Sequence, residues 1–361
     1  MEGRASAPAA ATVVNAIPAG RGGAFAIDIE TTARVRLTDD GTVEGTVRSP
    51  PGIDPALVER CVELALDEWG VSGRLEDSGS AGGLEDSGSA GDLEDSGSAG
   101  GLEDPATLGA RVTTESSVPV SAGLKSSSAA ANAAVWATVD ALGLTGTVEP
   151  LAACRVGVAA ARDVGVTVTG AFDDAAASML GGVVVTDNGS DEVLDRGSLS
   201  GGSSDEDARE SWALVWVPPE TVATAGVDPA LYRPIAPVAE TAIDLALAGR
   251  YGAAMTVNGL AVAAVLDRSP APLLEALPAA AGVSISGTGP SVVALGHRES
   301  LAGVRDRWDE RPGETRLVRT RETGTRAGLG TQAGSGTLGA GSGSMDAGTG
   351  DPSQGSGGDE S

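Results

Sequence analysis

The residues with the clearest chemical potential lie between Val118 and Ala133, read as Val-Pro-Val-Ser-Ala-Gly-Leu-Lys-Ser-Ser-Ser-Ala-Ala-Ala-Asn-Ala. Apolar residues lead into Gly123, three serines follow at Ser126, Ser127 and Ser128, and an alanine-rich run comes after them. The order is extended segment, tight turn, helix start. A helix start presents unpaired N–H groups and the positive end of the macrodipole, and serine hydroxyls beside it can bond phosphate oxygens or a Mg²⁺ ion. Lys125 is the only lysine of the chain, the other 23 cations being arginines. A compact ammonium suits a phosphate as a point charge better than a guanidinium fork does. The same residues also fit a helix with a serine N-cap and an incidental lysine.

Other stretches invite comparison with this one. Asn15 to Gly23 is a loop with three glycines, which is either a plain turn or a place where backbone approaches a ligand closely. Asp173 and Asp174 open a small-residue helix, where acids favour the dipole. His297 is the sole histidine and follows a strand, so a Ser-His-Asp hydrolase is not expected. One histidine and two separated cysteines make a zinc site equally unexpected. Cys61 and Cys154 sit in apolar, helix-like surroundings and read as reduced core thiols. A Walker A loop needs glycine before its lysine, and Leu124 stands there.

Hydrophobic periodicity supplies the elements that must position these residues. Residues 5–14 and 24–37 read as strands, 33–47 as a further strand pair, and 54–68 as a helix with Leu57, Val58, Cys61, Val62 and Ala65 on one face. Leu75-Glu-Asp-Ser-Gly-Ser-Ala-Gly-Gly then recurs at Leu84 and Leu93, with nine acids and no base between residues 75 and 104. This composition reads as a disordered insertion. After it come a strand from Ala110, the serine turn with its helix, a helix over 151–161, the helix of the acid pair, and a strand over 183–186. Residues 187–210, with eight acids and two arginines, read as a surface loop or linker. Beyond it are a strand over 211–217, helices over 236–248, 253–266 and 270–277, a strand–glycine turn–strand over 281–295, a helix over 299–310 and a strand over 316–321. The remainder reads as a disordered tail.

At 361 residues and 41% hydrophobic content the chain can build two domains, with aliphatic cores because it holds only two Phe, two Tyr and five Trp. Its formal charge of −26 repels nucleic acid and anionic membranes and suits a salt-rich cytoplasm. No window approaches the ~20 apolar residues of a membrane span, and the start of the chain is not a secretory signal; a cytoplasmic protein is expected.

The serine turn, with two companion motifs, resembles the galactokinase, homoserine kinase, mevalonate kinase and phosphomevalonate kinase (GHMP) superfamily. Its central motif Pro-x-x-x-Gly-Leu-Gly-Ser-Ser-Ala-Ala is matched by Pro119-Val-Ser-Ala-Gly-Leu-Lys-Ser-Ser-Ser-Ala, with departures at Lys125 and Ser128. Gly-Leu-Lys-Ser-Ser-Ser-Ala-Ala-Ala-Asn-Ala, Val14-Asn-Ala-Ile and Thr169-Gly-Ala-Phe-Asp-Asp-Ala are similar to archaeal shikimate kinases. The superfamily's C-terminal glycine turn is matched by Ser286-Gly-Thr-Gly-Pro-Ser.

The resemblance implies a two-domain α+β fold with the active site between the domains. An N-terminal domain like ribosomal protein S5 domain 2, with a left-handed βαβ crossover, would occupy residues 1–187 and a ferredoxin-like domain 211–322. Residues 188–210 would be the linker and 323–361 the tail. ATP would be held by Pro119, Ser121, Ala122, Gly123, Leu124, Lys125, Ser126, Ser127 and Ser128, with Gly287, Thr288 and Gly289 supporting that loop. Ser127 and Asp163 would hold Mg²⁺. Asp173 and Asp174 both remain eligible as catalytic carboxylate, with Asp174 preferred because Asp163 then stands where that family has its Mg²⁺-binding glutamate. The first-motif lysine that supports the aspartate in mevalonate kinase falls at Ala10, so Lys125 or an arginine substitutes, or the base works without a cation. The implied substrate is shikimate, phosphorylated at its 3-hydroxyl, with Asn15, Asp28, Gly22 and Gly23 as contacts. The alternatives are another small-molecule kinase of the homoserine or mevalonate type and a noncatalytic nucleotide or metabolite sensor.

Overall fold

The structure, a computed structural model, describes residues 1–49, 51–78, 108–119, 122–167, 170–199, 211–219 and 228–328. Residues 1–330 form one compact unit. The strands are β1 Glu2–Val14, β2 Arg21–Thr38, β3 Val43–Ser49, β4 Gly109–Ser116, β5 Val183–Asp187, β6 Glu192–Gly197, β7 Trp212–Val217, β8 Gly282–Ile285, β9 Val292–Gly296, β10 Glu314–Arg319 and β11 Arg326–Ala327. The α-helices are α1 Ala56–Ser78, α2 Ser126–Ala141, α3 Pro150–Asp163, α4 Phe172–Leu180, α5 Ala236–Leu247, α6 Tyr251–Val265, α7 Ala271–Ala276 and α8 Arg298–Asp309. A 3₁₀ turn over Pro229–Ile235 leads into α5.

Seven strands form the first sheet, in the order β11-β1-β2-β4-β3 with β5 and β6 joined through β2. β2 is long enough to serve two partners on one edge: Arg21–Phe25 pairs with β5 and Thr31–Thr38 with β4. Where Pro8 faces Glu30 the register jumps, and Ala9 then pairs with Ile27. Because successive side chains alternate between faces, this bulge exchanges inside and outside along both strands. Ala5 and Ala7 on one side of the bulge share a core with Ala33, Val35 and Leu37 of β2 and with α1 to α4. Ala9, Ala11, Val13, Phe25, Ile27 and Ile29, on the other side, join a second core that includes Ala213, Val215, Val293 and Leu295. Beyond the bulge Ala10 and Ala24 still face the helices, so the sheet keeps its helices on one face and there meets the second sheet with the other.

That second sheet runs β10-β7-β9-β8, all antiparallel. Strand, helices, strand, strand, helix, strand along the chain, with the strands in that sheet order, is the ferredoxin-like arrangement. Alternation again splits its residues, with Leu214, Val292 and Ala294 facing a third core around Trp308, Tyr232, Leu273 and Leu301.

Four local expectations change. β2 and β3 do not form a hairpin, because β4 lies between them; β3 runs parallel to β4, and α1 supplies the crossover that a parallel pair needs. Helix α1 continues past Glu68 to Ser78, so Leu75–Ser78 are helical rather than disordered: adding residues to an existing helix needs no new nucleation step. Residues 79–104 of the repeat lie outside the described residues. Within the acidic stretch, Glu192–Gly197 is a strand paired with β5, its charged composition reflecting an edge position. Arg326–Ala327, placed in the tail by composition, pairs with Ala5 and Ser6 of β1, and Gly328 N donates to Arg4 O at 2.7 Å.

Candidate active site

The serine turn closes on the glycine turn between β8 and β9. Leu124 is fully buried in the second core beside Val118 and Ala122, which pins the loop from below. Gly123 adopts φ +78°, and a Cβ there would lie 2.2 Å from the backbone oxygen of Ser286, so only glycine allows this approach. Ser286 Oγ donates to Gly123 O at 2.7 Å and accepts from Thr12 N at 3.3 Å, while Gly287 N donates to Thr12 Oγ1 at 2.8 Å. Asn15 Nδ2 donates to Gly287 O at 2.8 Å, and Asn258 Oδ1 accepts from Asn15 N at 2.9 Å. The end of β1 is thus tied to the glycine turn, and the glycine turn to the serine loop.

The residue that caps α2 is Lys125, in the left-handed conformation (φ 63°, ψ 35°) and with no side-chain capping bond. The serine N-cap alternative therefore fails. Ser126, Ser127 and Ser128 are the first three helical residues, whose N–H groups have no partner within the helix. Ser127 is exposed, Ser126 half-buried and Ser128 buried. Twelve of the sixteen residues of α2 are buried, so the helix runs through the core and its positive end is poorly screened. The lysine explains a motif difference too: the superfamily has glycine where this chain has a residue at positive φ.

Lys125 Nζ lies 2.8 Å from Asp174 Oδ1, with the two side chains only 9% and 11% exposed. A Cβ on Gly287 would stand 3.1 Å from that ammonium, so the glycine turn forms one wall of the pair. Asp174 and Asp173 open α4, behind Ala171 in the left-handed region (φ 49°). Asp173 accepts from Asn188 Nδ2 at 2.8 Å on Oδ1 and donates its N–H to Asn188 Oδ1 at 3.1 Å. A Cβ on Gly22 would lie 2.5 Å from Asp173 Oδ2, which fixes glycine there. Burial, followed by the neighbouring Asp173 charge, pushes the Asp174 carboxyl up to about 7, with Lys125 acting against both. Asp174 is thus a carboxylate able to take up and release a proton near neutrality.

The sequence-derived residues divide between this cluster and other places. Gly123, Leu124, Lys125, Ser126, Ser127, Ser128, Asp173, Asp174, Gly22, Asn15 and the Gly287–Gly289 turn, with Thr288 buried, come together. Asn15 spends its side chain on the turn and on Ile17 N, so it acts there as a brace. Gly23 packs against Val13 and Val185 rather than against a carboxylate. Asp28 lies in the bulge of β2 and faces Arg321 at 3.5 Å, which removes it from the cluster. Asp163 is exposed at the end of α3, with Oδ2 accepting from Arg60 Nε of α1 at 2.8 Å; that guanidinium already neutralises it, and it stands apart from the Lys125–Asp174 pair. Ser121 lies outside the described residues. Thr12, Asn188 and Asn258 escaped sequence reasoning, although Asn258 is a lone amide in an apolar helix and Asn188 closes β5 just before a glycine.

No group of three or more His, Cys, Asp or Glu able to hold a metal occurs among the described residues. The cluster instead offers serine hydroxyls and open N–H groups at a helix start, a donor set suited to phosphate and to a divalent ion that phosphate itself helps to bind. No helix among the described residues is long and apolar enough to cross a membrane.

Family models for the GHMP kinases N terminal domain and GHMP kinases C terminal match residues 93–182 and 230–314. A shikimate kinase of Halobacterium salinarum is 48% identical over 327 residues, covering 90% of this chain and 99% of its own. One from Methanothrix thermoacetophila is 41% identical, covering 88% and 93%. Among solved structures, a homoserine kinase from Cytophaga hutchinsonii superposes with a TM-score of 0.61 at 17% identity, covering 90% of this chain and 97% of its own. A Methanococcus jannaschii mevalonate kinase gives 0.56 at 13%, covering 88% and 97%.

Proposed function

The chain belongs to the GHMP kinases and, among them, to the shikimate kinases of archaea, and we propose that it transfers the γ-phosphoryl group of ATP to the 3-hydroxyl of shikimate with Asp174 as the catalytic carboxylate. The observation that carries the assignment of Asp174 is its burial beside Lys125, at the point where the serine loop, the glycine turn and α4 meet.

The ATP phosphates lie against the first turn of α2, where the N–H groups of Ser126, Ser127 and Ser128 and the helix dipole face them. Gly123 and Leu124 hold that turn in place, so the cradle needs no rearrangement when phosphate arrives. Ser127, the exposed serine of the turn, would hold Mg²⁺, which would supply charge neutralisation for the phosphates. Asp174 accepts or orients the proton of the attacking hydroxyl, and its pKa near neutrality suits that exchange. Lys125 keeps a useful fraction of it ionised, fulfilling from the second motif the role that mevalonate kinase gives to a first-motif lysine. Asp173, held by Asn188, keeps the start of α4 in register. ATP use places the reaction in the cytoplasm.

The test is ATP consumption by the purified protein in high salt against shikimate, homoserine and mevalonate. Shikimate 3-phosphate and ADP form from shikimate, and Asp174→Asn abolishes turnover. Turnover of homoserine or mevalonate without shikimate would sink the substrate assignment, and ATP binding without turnover of any of them would leave a sensor.

A further inference from the structure

Arg268 carries a cation that the catalytic scheme does not use. The last turn of α6 ends with Asp267 at φ 48°, and Arg268 N donates back to Ala263 O at 2.9 Å, which fixes the direction of the side chain. It lies against the glycine turn: a Cβ on Gly289 would stand 3.4 Å from Arg268 Nε and 3.7 Å from Cζ. Gly287, two residues earlier, faces Lys125 Nζ. The guanidinium and the Lys125–Asp174 pair therefore both border one turn, at Gly289 and at Gly287.

The Arg268 side chain forms no ion pair or hydrogen bond among the described residues, and its Nε is buried without an acceptor. Its charge acts on the Tyr232 hydroxyl, another buried group without a hydrogen-bond partner; burial raises that hydroxyl to about 12, so it stays protonated. The guanidinium can only donate and the protonated Tyr232 hydroxyl can donate as well, so an accepting ligand satisfies both. The other cations near the cluster are already committed, Lys125 to Asp174 and Arg21 to Glu240. A chain of charge −26 holds an anionic metabolite only by presenting a local cation.

We propose that Arg268 binds the carboxylate of the substrate, and that it is the residue by which this site selects a hydroxylated acid over a neutral polyol. This rests on the shikimate kinase reading. Shikimate carries its carboxylate on the ring two carbons from the 3-hydroxyl, so a bidentate guanidinium beside Gly289 and Asp174, paired with Lys125 beside Gly287, hold the two ends of one small ring.

The experiment compares shikimate with its methyl ester, which keeps every hydroxyl and loses the charge. Wild type prefers the acid by roughly 10- to 100-fold in kcat/KM, the range of a charge-assisted hydrogen bond. Arg268→Met raises KM for shikimate by the same factor, leaves KM for ATP within about twofold and erases the preference for acid over ester. Arg268→Lys, which keeps the charge without the fork, restores part of it. A wild type indifferent to esterification overturns the proposal without any variant having to fold, as does an Arg268→Met enzyme that retains the preference or loses ATP affinity instead. A wild type inert toward both compounds refutes the shikimate assignment itself, and the proposal with it.

Discussion

Exchanging Lys125 for glycine separates its two roles. At φ 63° a side chain costs about 1–2 kcal/mol that glycine avoids, so the backbone gains from the change. The ammonium, however, is lost from a pair that solvent screens little, and an opposite charge so placed lowers a carboxyl by about 1–3 units. Asp174, at about 7 in the intact protein, then rises to roughly 8–10. Since the base must be ionised, the acid limb of kcat moves alkaline by the same interval, and the ionised fraction at pH 7 drops from about one half to about a tenth or less. Stability behaves differently. At pH 7 the carboxyl takes up a proton, so the penalty of about 3–5 kcal/mol for orphaning a buried charge does not appear. Relative to wild type it builds up between about pH 7 and the new value, at about 1.4 kcal/mol per unit, and levels off above it. The assay is coupled ADP release at saturating substrates from pH 5.5 to 10, with thermal melts at pH 7 and 9. Lys125→Met, which removes the charge but keeps the left-handed residue, gives the same limb with a lower melting temperature. If both variants keep the wild-type limb, the ion pair does not set Asp174 and the reasoning fails.

Asp173→Asn removes a charge that raises Asp174, so its acid limb moves to lower pH, opposite to Lys125→Gly; a shift in the same direction would contradict the electrostatics described. Stability linked to Asp174 follows one sign in the intact protein. Its folded pKa lies above the ordinary carboxyl value, so the contribution is full below about pH 4 and is lost as pH rises through about 7, which differential melts of wild type and Asp174→Asn will show. Gly123→Ala combines a left-handed alanine with a Cβ 2.2 Å from Ser286 O, and loses about 3 kcal/mol or more by chemical denaturation along with most activity. Self-repulsion at charge −26 makes the melting temperature climb between 0.1 and 2 M KCl, as the screening length shrinks from about 10 Å to below 3 Å; a flat salt series would contradict this.

The sequence revealed the strands that alternate and the helices that repeat, and it revealed the loop chemistry because glycine, serine and lysine punctuate the chain at motif spacing. Three kinds of feature stayed hidden. The bulge at Pro8 exchanges which residues of β1 face the helices, and a run of alanines buried on both faces carries no alternation from which to read that exchange. β6 and β11 are edge strands whose polar residues look like loop. Asp163 is singled out by its spacing from a motif, whereas its ion pair with Arg60, like that of Asp28 with Arg321, depends on elements distant in sequence. Asn188 belongs to the same class: nothing local distinguishes an amide that ends a strand from one that seats a carboxylate.

The alanine packing between β1 and α2 has a thermodynamic consequence. Ala5, Ala7 and Ala10 are wholly buried on the helix side, and a Cβ on Gly3 would stand 2.2 Å from Ala137 O, so strand and helix meet almost backbone to backbone. Such residues lose no side-chain entropy on folding, and each releases little apolar surface on unfolding. The heat-capacity increment per residue therefore falls toward or below the low end of the usual ~12–15 cal/mol/K, and the curve of stability against temperature is broad and shallow. The site at the head of α2 is carried by a scaffold whose stability changes little across a wide range of working temperature.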